Sequence, residues 1–181
     1  LALAGMADPQ AINRSCLQGV QDVSTFFGFY IVKAKALAGD MEGALDLVRR
    51  FWGGMLSLGA TTFWEDFDVR WLENAARIDE LTPEGKVDIH AAYGQYCYSG
   101  YRHSLCHGWA SGPTPWMSQY VLGVQVLEPG CRKVAIRPQL GDLQWVEGAY
   151  PTPYGNIWIR HEKNEDGSLR SAINAPHEVE I

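Results

Sequence analysis

Near Gly123 the hydrophobic pattern of the chain changes period, and that change decides which architectures are open to it. Upstream, in STFFGFYIVKAKALAGDMEGALDLVRRFWGGMLSLG, apolar residues recur at helical spacing: Phe26, Phe29, Tyr30, Ala34 and Leu37, then Met41, Ala44, Leu45, Val48, Trp52 and Met55. Gly39 as a stop and Asp40 as an N-cap separate the two runs, which predicts an antiparallel helical hairpin. A third helix is expected from about Gly112 or Pro113, because GPTPWMSQYVLG places prolines where a first turn tolerates them and then Met117, Tyr120 and Val121 on one face. Downstream, KVAIRP, LQWVEGAYPTPYG, NIWIRHEK and LRSAINAP read as short strands bounded by Pro, Gly and Asn, with NEDGS as a hairpin connection. The class is α+β, helices first and a small antiparallel β unit after. So few strands cannot cover both faces of a sheet, so the β unit is expected to pack on the helices or to complete a sandwich begun elsewhere.

Charge narrows the partners. With a net charge of -6 and a pI near 5.3, the chain lacks the clustered Lys and Arg of a nucleic-acid or anionic-membrane surface, so neither partner is expected. No run approaches the roughly 18 to 20 apolar residues of a membrane span, and LALAGMADPQ lacks the basic segment of a secretory leader. Cys16, Cys97, Cys106 and Cys131 show no zinc-ligand spacing, so no metal or other cofactor is expected. The plain reading of each is a small buried or half-buried thiol; a disulfide or a nucleophile is the other. Residues 73 to 106 read as a long, partly ordered loop, interrupted at Thr82-Pro83-Glu84-Gly85 and rich in tyrosine (Tyr93, Tyr96, Tyr98, Tyr101). Such a loop either packs its rings on the helices or binds something ring-shaped.

The stretch GATTFWEDFD, residues 59 to 68, follows the second helix, with Gly59 as its C′ residue. It sets Glu65, Asp66 and Asp68 beside Trp64 and Phe67, although burying a charge is costly. A glycosidase needs two carboxyl groups across the scissile bond, and apolar walls tune their acidity. Trp64 beside Glu65 fits that need. On the other reading Asp66 and Asp68 are solvated loop acids and Glu65 caps the next helix.

GGMLSLGATTFWEDFD, then SLCHGWASGPTPWMSQYVLGV, then PGCRKVAIRPQLGDLQWVEGAYPTPYGNIWIRHE resemble, in that order, the C-terminal third of a bacterial α-L-rhamnosidase of glycoside hydrolase family 78. The resemblance implies that residues 1–122 are the last hairpins of an (α/α)6 barrel and residues 123–181 an antiparallel β-sandwich domain. It implies an inverting hydrolase of terminal α-L-rhamnosyl linkages, with Glu65 as general base and His107, of the Ser-x-x-His motif, in the sugar site. The general acid would lie in an Asp-rich segment that these residues do not include, so the isolated fragment would be inactive and its partner would be the missing N-terminal part of the same protein. Trp64 and Trp109 would wall the sugar, Asp68 would complete the substrate-binding set, and Trp116 reads equally as core. Where many members carry Glu-Arg-Trp-Asp this chain has Glu65-Asp66-Phe67-Asp68, and Cys106 stands where they have Asn. Two other readings therefore remain: an (α/α)6 glycosidase of another sugar specificity, and a carbohydrate-binding fragment without chemistry.

Overall fold

The computed structural model describes residues 1–20, 23–89 and 104–181. They form two compact units, Leu1–Pro113 and Thr114–Ile181. The coarse α+β reading is borne out: the first unit carries the long helices and the second holds two small antiparallel sheets.

The first unit opens with a single helical turn, α1 (Pro9–Ile12), capped by Asp8, whose carboxylate accepts from the Ala11 N–H. It runs on into a π-helical turn, Asn13–Leu17, which the sequence did not signal. The hairpin follows as expected, α2 (Thr25–Leu37) and α3 (Met41–Ser57). Ser24 caps α2 by accepting from the Phe27 N–H at 3.1 Å, and Asp40 caps α3 by accepting from the Gly43 N–H at 3.0 Å. Gly39 and Gly59, at φ 80° and 89°, end the two helices in the left-handed conformation that suits glycine. Beyond α3, Asp68 opens a 3-10 turn over Val69–Glu73.

Helix α3 buries most of the stripe its spacing predicts, Met41, Ala44, Leu45, Trp52 and Met55, joined by Leu47 and Phe51, while Val48 is only half-buried. Helix α2 does not. Its buried positions include Gly28, Val32, Ala34 and Ala36, whereas Phe26, Tyr30 and Leu37 are exposed. The helix is apolar nearly all round, so spacing alone selects no face. Close approach selects it instead: a Cβ on Gly28 would lie 2.6 Å from the Trp52 ring. Phe51 meets Phe67 edge-on at 5.2 Å, and Phe67 meets Trp71 at 5.7 Å, which ties the segment after α3 to the hairpin.

In the second unit α4 (Pro113–Trp116) passes into a π turn, Met117–Val121. Tyr120 and Val121 are buried as expected, but Met117 is exposed. The wider π turn places more residues in each revolution than the 3.6 assumed, and Met117 rotates off the shared face. Strand β1 (Val124–Val126) pairs with β2 (Val134–Ile136), and β3 (Trp145–Thr152), β4 (Gly155–Lys163) and β5 (Leu169–Asn174) form an antiparallel meander. β1 was not anticipated, since three residues carry no readable alternation. The NEDGS turn forms as predicted, Asn164 donating its N–H to the Ser168 carbonyl at 2.8 Å. Leu122, Val124, Val134, Ile157, Ile159 and Val179 make the core.

His161 lies fully buried in β4, with Nε2 at 3.1 Å from the Leu122 carbonyl and Nδ1 at 2.7 Å from the Ser171 hydroxyl. Cys16 and Cys106 are exposed free thiols rather than buried ones, and Cys131 is half-buried; Cys97 and the four loop tyrosines lie outside the described residues. No described helix is long and apolar enough to cross a membrane.

Two polar groups should register in stability. Asp40 also accepts from Lys35 Nζ at 2.8 Å and from Asn13 Nδ2 at 3.0 Å, so one carboxylate joins the first turn of α3, the end of α2 and the π turn. Burial acts to raise its pKa, but the hydrogen bonds from Lys35, Asn13 and Gly43 outweigh that and hold it below the usual carboxylate range. Asp40→Ala should cost about 3–5 kcal/mol in urea unfolding, because Lys35, only 4% exposed, is left without its counter-charge; Asp40→Asn, which still caps, should cost less. The wild-type contribution is complete above the unfolded-state value near pH 3.9 and is lost as pH falls through the lower folded-state value.

Burial likewise lowers the His161 pKa, against a smaller opposing effect of its bond to the Leu122 carbonyl. The unfolded chain therefore takes up its proton first, near pH 6.5, and the stability the neutral ring contributes is present above that pH and declines below it. Thermal melts between pH 8 and pH 5 should show this loss, and His161→Gln should flatten it.

Candidate functional site

The site grows from the aromatic core behind α3. Residues 63 to 65 lie alongside residues 104 to 107 in a strand-like pairing: Glu65 N–H donates to the Ser104 carbonyl at 2.8 Å, and His107 N–H donates to the Phe63 carbonyl at 2.7 Å. The Thr62 hydroxyl donates to the Leu105 carbonyl. This pairing carries Glu65 inward, to 3% exposure.

Every other group of Glu65 but one is engaged. Its carbonyl accepts from the Thr25 hydroxyl at the head of α2 and from Trp109 Nε1 at 3.0 Å. Its Oε2 accepts from the Ser104 N–H at 2.8 Å and stands 3.8 Å from His107 Nδ1. Oε1 is buried and has no hydrogen-bond partner among the described residues. A buried acceptor without a partner carries a desolvation cost of about 1–3 kcal/mol, so a fold that keeps one calls for a reason.

His107 and Trp109 flank the acid together, their rings 4.1 Å apart and tilted by 46°. His107 precedes the 3-10 turn Gly108–Ala110 that aims Trp109 back toward residue 65. Both side chains reach solvent. Phe26 of α2 meets Trp109 edge-on at 6.0 Å and continues the aromatic surface to Phe27 and Tyr30.

The structure thus brings Glu65, His107 and Trp109 to one place. Trp64, expected as a wall for a sugar, is instead fully buried and tilted against Phe67, its Nε1 without a partner among the described residues. Asp68 is committed elsewhere: it caps the 3-10 turn through the Arg70 N–H at 2.8 Å and pairs with the Arg70 guanidinium, which holds its carboxyl below the usual range. The cap after GATTFWEDFD is therefore Asp68, not Glu65, and Asp66 is buried rather than solvated. Trp116 is fully buried against Tyr120, centroids 6.1 Å apart. Thr25 and Ser104, which hold Glu65, went unread; a Ser-Thr pair at a helix start signals a cap but not a second task. Among the described residues no group of three or more His, Cys, Asp or Glu could hold a metal ion.

Residues 123–181 match the family model described as the bacterial alpha-L-rhamnosidase C-terminal domain. The rhamnosidase likeness extends well beyond it. A family GH78 rhamnosidase of Bacillus sp. GL1 matches at 28% identity and TM-score 0.71, over 99% of this chain and 17% of its own. An α-L-rhamnosidase from Streptomyces avermitilis, solved with L-rhamnose, matches at 19% identity and TM-score 0.61 over 86% of this chain and 13% of its own. One from Aspergillus terreus matches at 19% and 0.61, over 84% and 16%. At that identity the last two show the fold alone. No curated protein sequence matches. The chain therefore corresponds to about a sixth of the solved rhamnosidases, not the third that the sequence resemblance implied.

The two donors to the Glu65 carbonyl share one acceptor, which makes their contributions interdependent. Trp109→Phe and Thr25→Val should each cost about 0.5–1.5 kcal/mol, and the double variant more than the sum, since only then is the buried carbonyl left bare. Urea unfolding of the four proteins closes the cycle.

Proposed function

We propose that this chain is the C-terminal part of a longer α-L-rhamnosidase, with residues 1–122 contributing the last hairpins of an (α/α)6 barrel and residues 123–181 a β-sandwich domain. In this reading Glu65 is the general base of an inverting hydrolysis. The observation that carries it is the Glu65 carboxylate itself: fixed at Oε2, held through its own peptide by two segments, and with Oε1 free of any described partner. A base needs such a fixed oxygen within hydrogen-bond reach of the proton it takes.

The chemistry then follows from the parts. Oε1 takes a proton from a water whose oxygen bonds to the anomeric carbon, while the bond from that carbon to the aglycone oxygen breaks. A carboxylic acid supplied by the rest of the protein protonates the leaving oxygen, roughly 6.5–9.5 Å across the sugar from Glu65. His107 donates to or accepts from ring hydroxyls, and the exposed Trp109 face packs against the apolar side of the ring and its methyl group. The substrate is a carbohydrate and the macromolecular partner is the remainder of the same protein.

Specificity for a different sugar is the second reading, favoured by Cys106, which is exposed immediately before His107 where the resembling family has Asn. Phe67, by contrast, departs from that pattern inside the core and bears on packing alone.

The test is hydrolysis of a panel of aryl glycosides, α-L-rhamnoside included, by the full-length protein and its Glu65→Gln variant. Glutamine keeps an acceptor for the Ser104 N–H but cannot take a proton, so kcat should fall about 10²–10⁴-fold with sugar binding little changed. The first-formed rhamnose, followed by NMR, should carry the inverted anomeric configuration. Undiminished turnover removes Glu65 from the mechanism, and preference for another glycoside selects the second reading.

A further inference from the structure

The meander β3-β4-β5 turns one face to the core and leaves the other open. Its register decides which side chains share the open face. Across β3 and β4, Trp145 stands opposite Glu162, Glu147 opposite Arg160, and Ala149 opposite Trp158; across β4 and β5, Arg160 stands opposite Ala172 and Trp158 opposite Asn174. Residues directly opposite point to the same side, so these form one surface. It carries two indoles, Trp145 and Trp158, at 55% and 56% exposure. Indoles left in water on a sheet forgo a large burial gain, and a surface that keeps two of them is a candidate for recognition.

The two rings differ in what already covers them. The Arg160 guanidinium lies over Trp145, 5.0 Å from the ring centre, and donates to Glu147 at 2.7 Å. Glu162, which accepts from Arg170 at 2.7 Å, stands 3.8 Å from the same guanidinium. This network holds Arg160 and Glu147 in place. Trp158 has no such cover among the described residues, and the residues opposite it and opposite Arg160 include the short Ala149 and Ala172, which leave its ring approachable. Trp158, Glu147, Arg160, Ala172 and Asn174 line a depression of about 220 Å³. That is smaller than the roughly 300–1,000 Å³ of pockets that enclose drug-sized ligands, and suits a single ring.

The lining specifies the chemistry of that ring. An indole face attracts C–H groups that carry partial positive charge. Asn174 offers donors and an acceptor, Glu147 accepts and Arg160 donates. Glu147 and Arg160 neutralise one another, so the depression does not select an ion. An uncharged ring with an apolar C–H face and hydroxyls at its edge meets all these conditions. We propose that the open face of β3-β4-β5 is a binding site for a neutral pyranoside, stacked on Trp158 with its hydroxyls held by Asn174, Glu147 and Arg160. The site uses no residue of the first unit and stands whether or not Glu65 is a base.

The experiment is saturation-transfer NMR on the whole chain with methyl α-L-rhamnopyranoside and methyl β-D-glucopyranoside, with cyclohexanol as an apolar ring lacking the hydroxyl edge. Saturable transfer to at least one glycoside is expected, about tenfold weaker in Trp158→Ala, partly restored in Trp158→Phe and weakened in Asn174→Ala. Both positions are exposed, so the fold should survive, as unchanged melting temperatures would verify. Absence of saturable transfer, equal transfer to cyclohexanol, or full binding by Trp158→Ala overturns the proposal. So does acrylamide quenching of the intact protein that is the same in wild type and Trp158→Phe, because the indole would then be covered by protein and closed to a sugar.

Discussion

The peptide of Glu65 is held from three directions, and the chemistry available to the first unit depends on that restraint. A carboxylate at 3% exposure is costly on desolvation grounds. The cost is offset locally: the Ser104 N–H on Oε2, and two donors on the carbonyl from α2 and from the turn bearing Trp109. These bonds bring together sequence positions about forty residues apart on either side of Glu65. The acid is therefore placed by the fold as a whole, with little freedom to swing away from its neighbours. Such fixed placement is what a base or a binding carboxylate requires, and an exposed loop acid would lack it.

Asp40 plays the matching part for the scaffold. Its two oxygens meet a backbone N–H, an ammonium and a side-chain amide, and so set the junction of the hairpin that carries Thr25 at one end and the aromatic core at the other. On the same hairpin Trp52 packs closely over Gly28 and donates to the Ala110 carbonyl at 2.9 Å. Through that bond the scaffold reaches the turn that orients Trp109.

Much of this was legible in the sequence where the signal is local. Gly39, Asp40 and Gly59 marked helix ends because caps and left-handed turns are chosen by single residues, and β2 to β5 followed from alternation and turn chemistry. What failed was non-local. Helix α2 hides Gly28 and Val32 and exposes Phe26 and Tyr30, a choice made by Trp52 that no periodicity in α2 records. The burial of Trp64 and the pairing of Asp68 with Arg70 went unsignalled for a similar reason: neighbours in sequence to a buried acid need not share its pocket, since successive residues of an extended segment point to opposite sides. Glu65, His107 and Trp109 converge although more than forty residues separate them, which spacing could not foretell; the order of the motifs pointed to it through resemblance.

The outer side of α2 bears on how the proposed reading hangs together. Phe26, Phe27, Tyr30 and Leu37 lie exposed on a helix whose other side is also apolar. A helix apolar all round is one that packs on both sides, and such a face in water is a liability for a protein that ends there. Phe26 touches Trp109, so the same surface borders the Glu65 site. In the barrel proposed here, further hairpins would cover part of it and the substrate the rest. The acid that completes the catalytic pair would come from those hairpins, so the elements that bury α2 would also bring the second carboxylate opposite Glu65. Burial of the outer side of α2 and activity would then share one requirement, the presence of the remaining barrel.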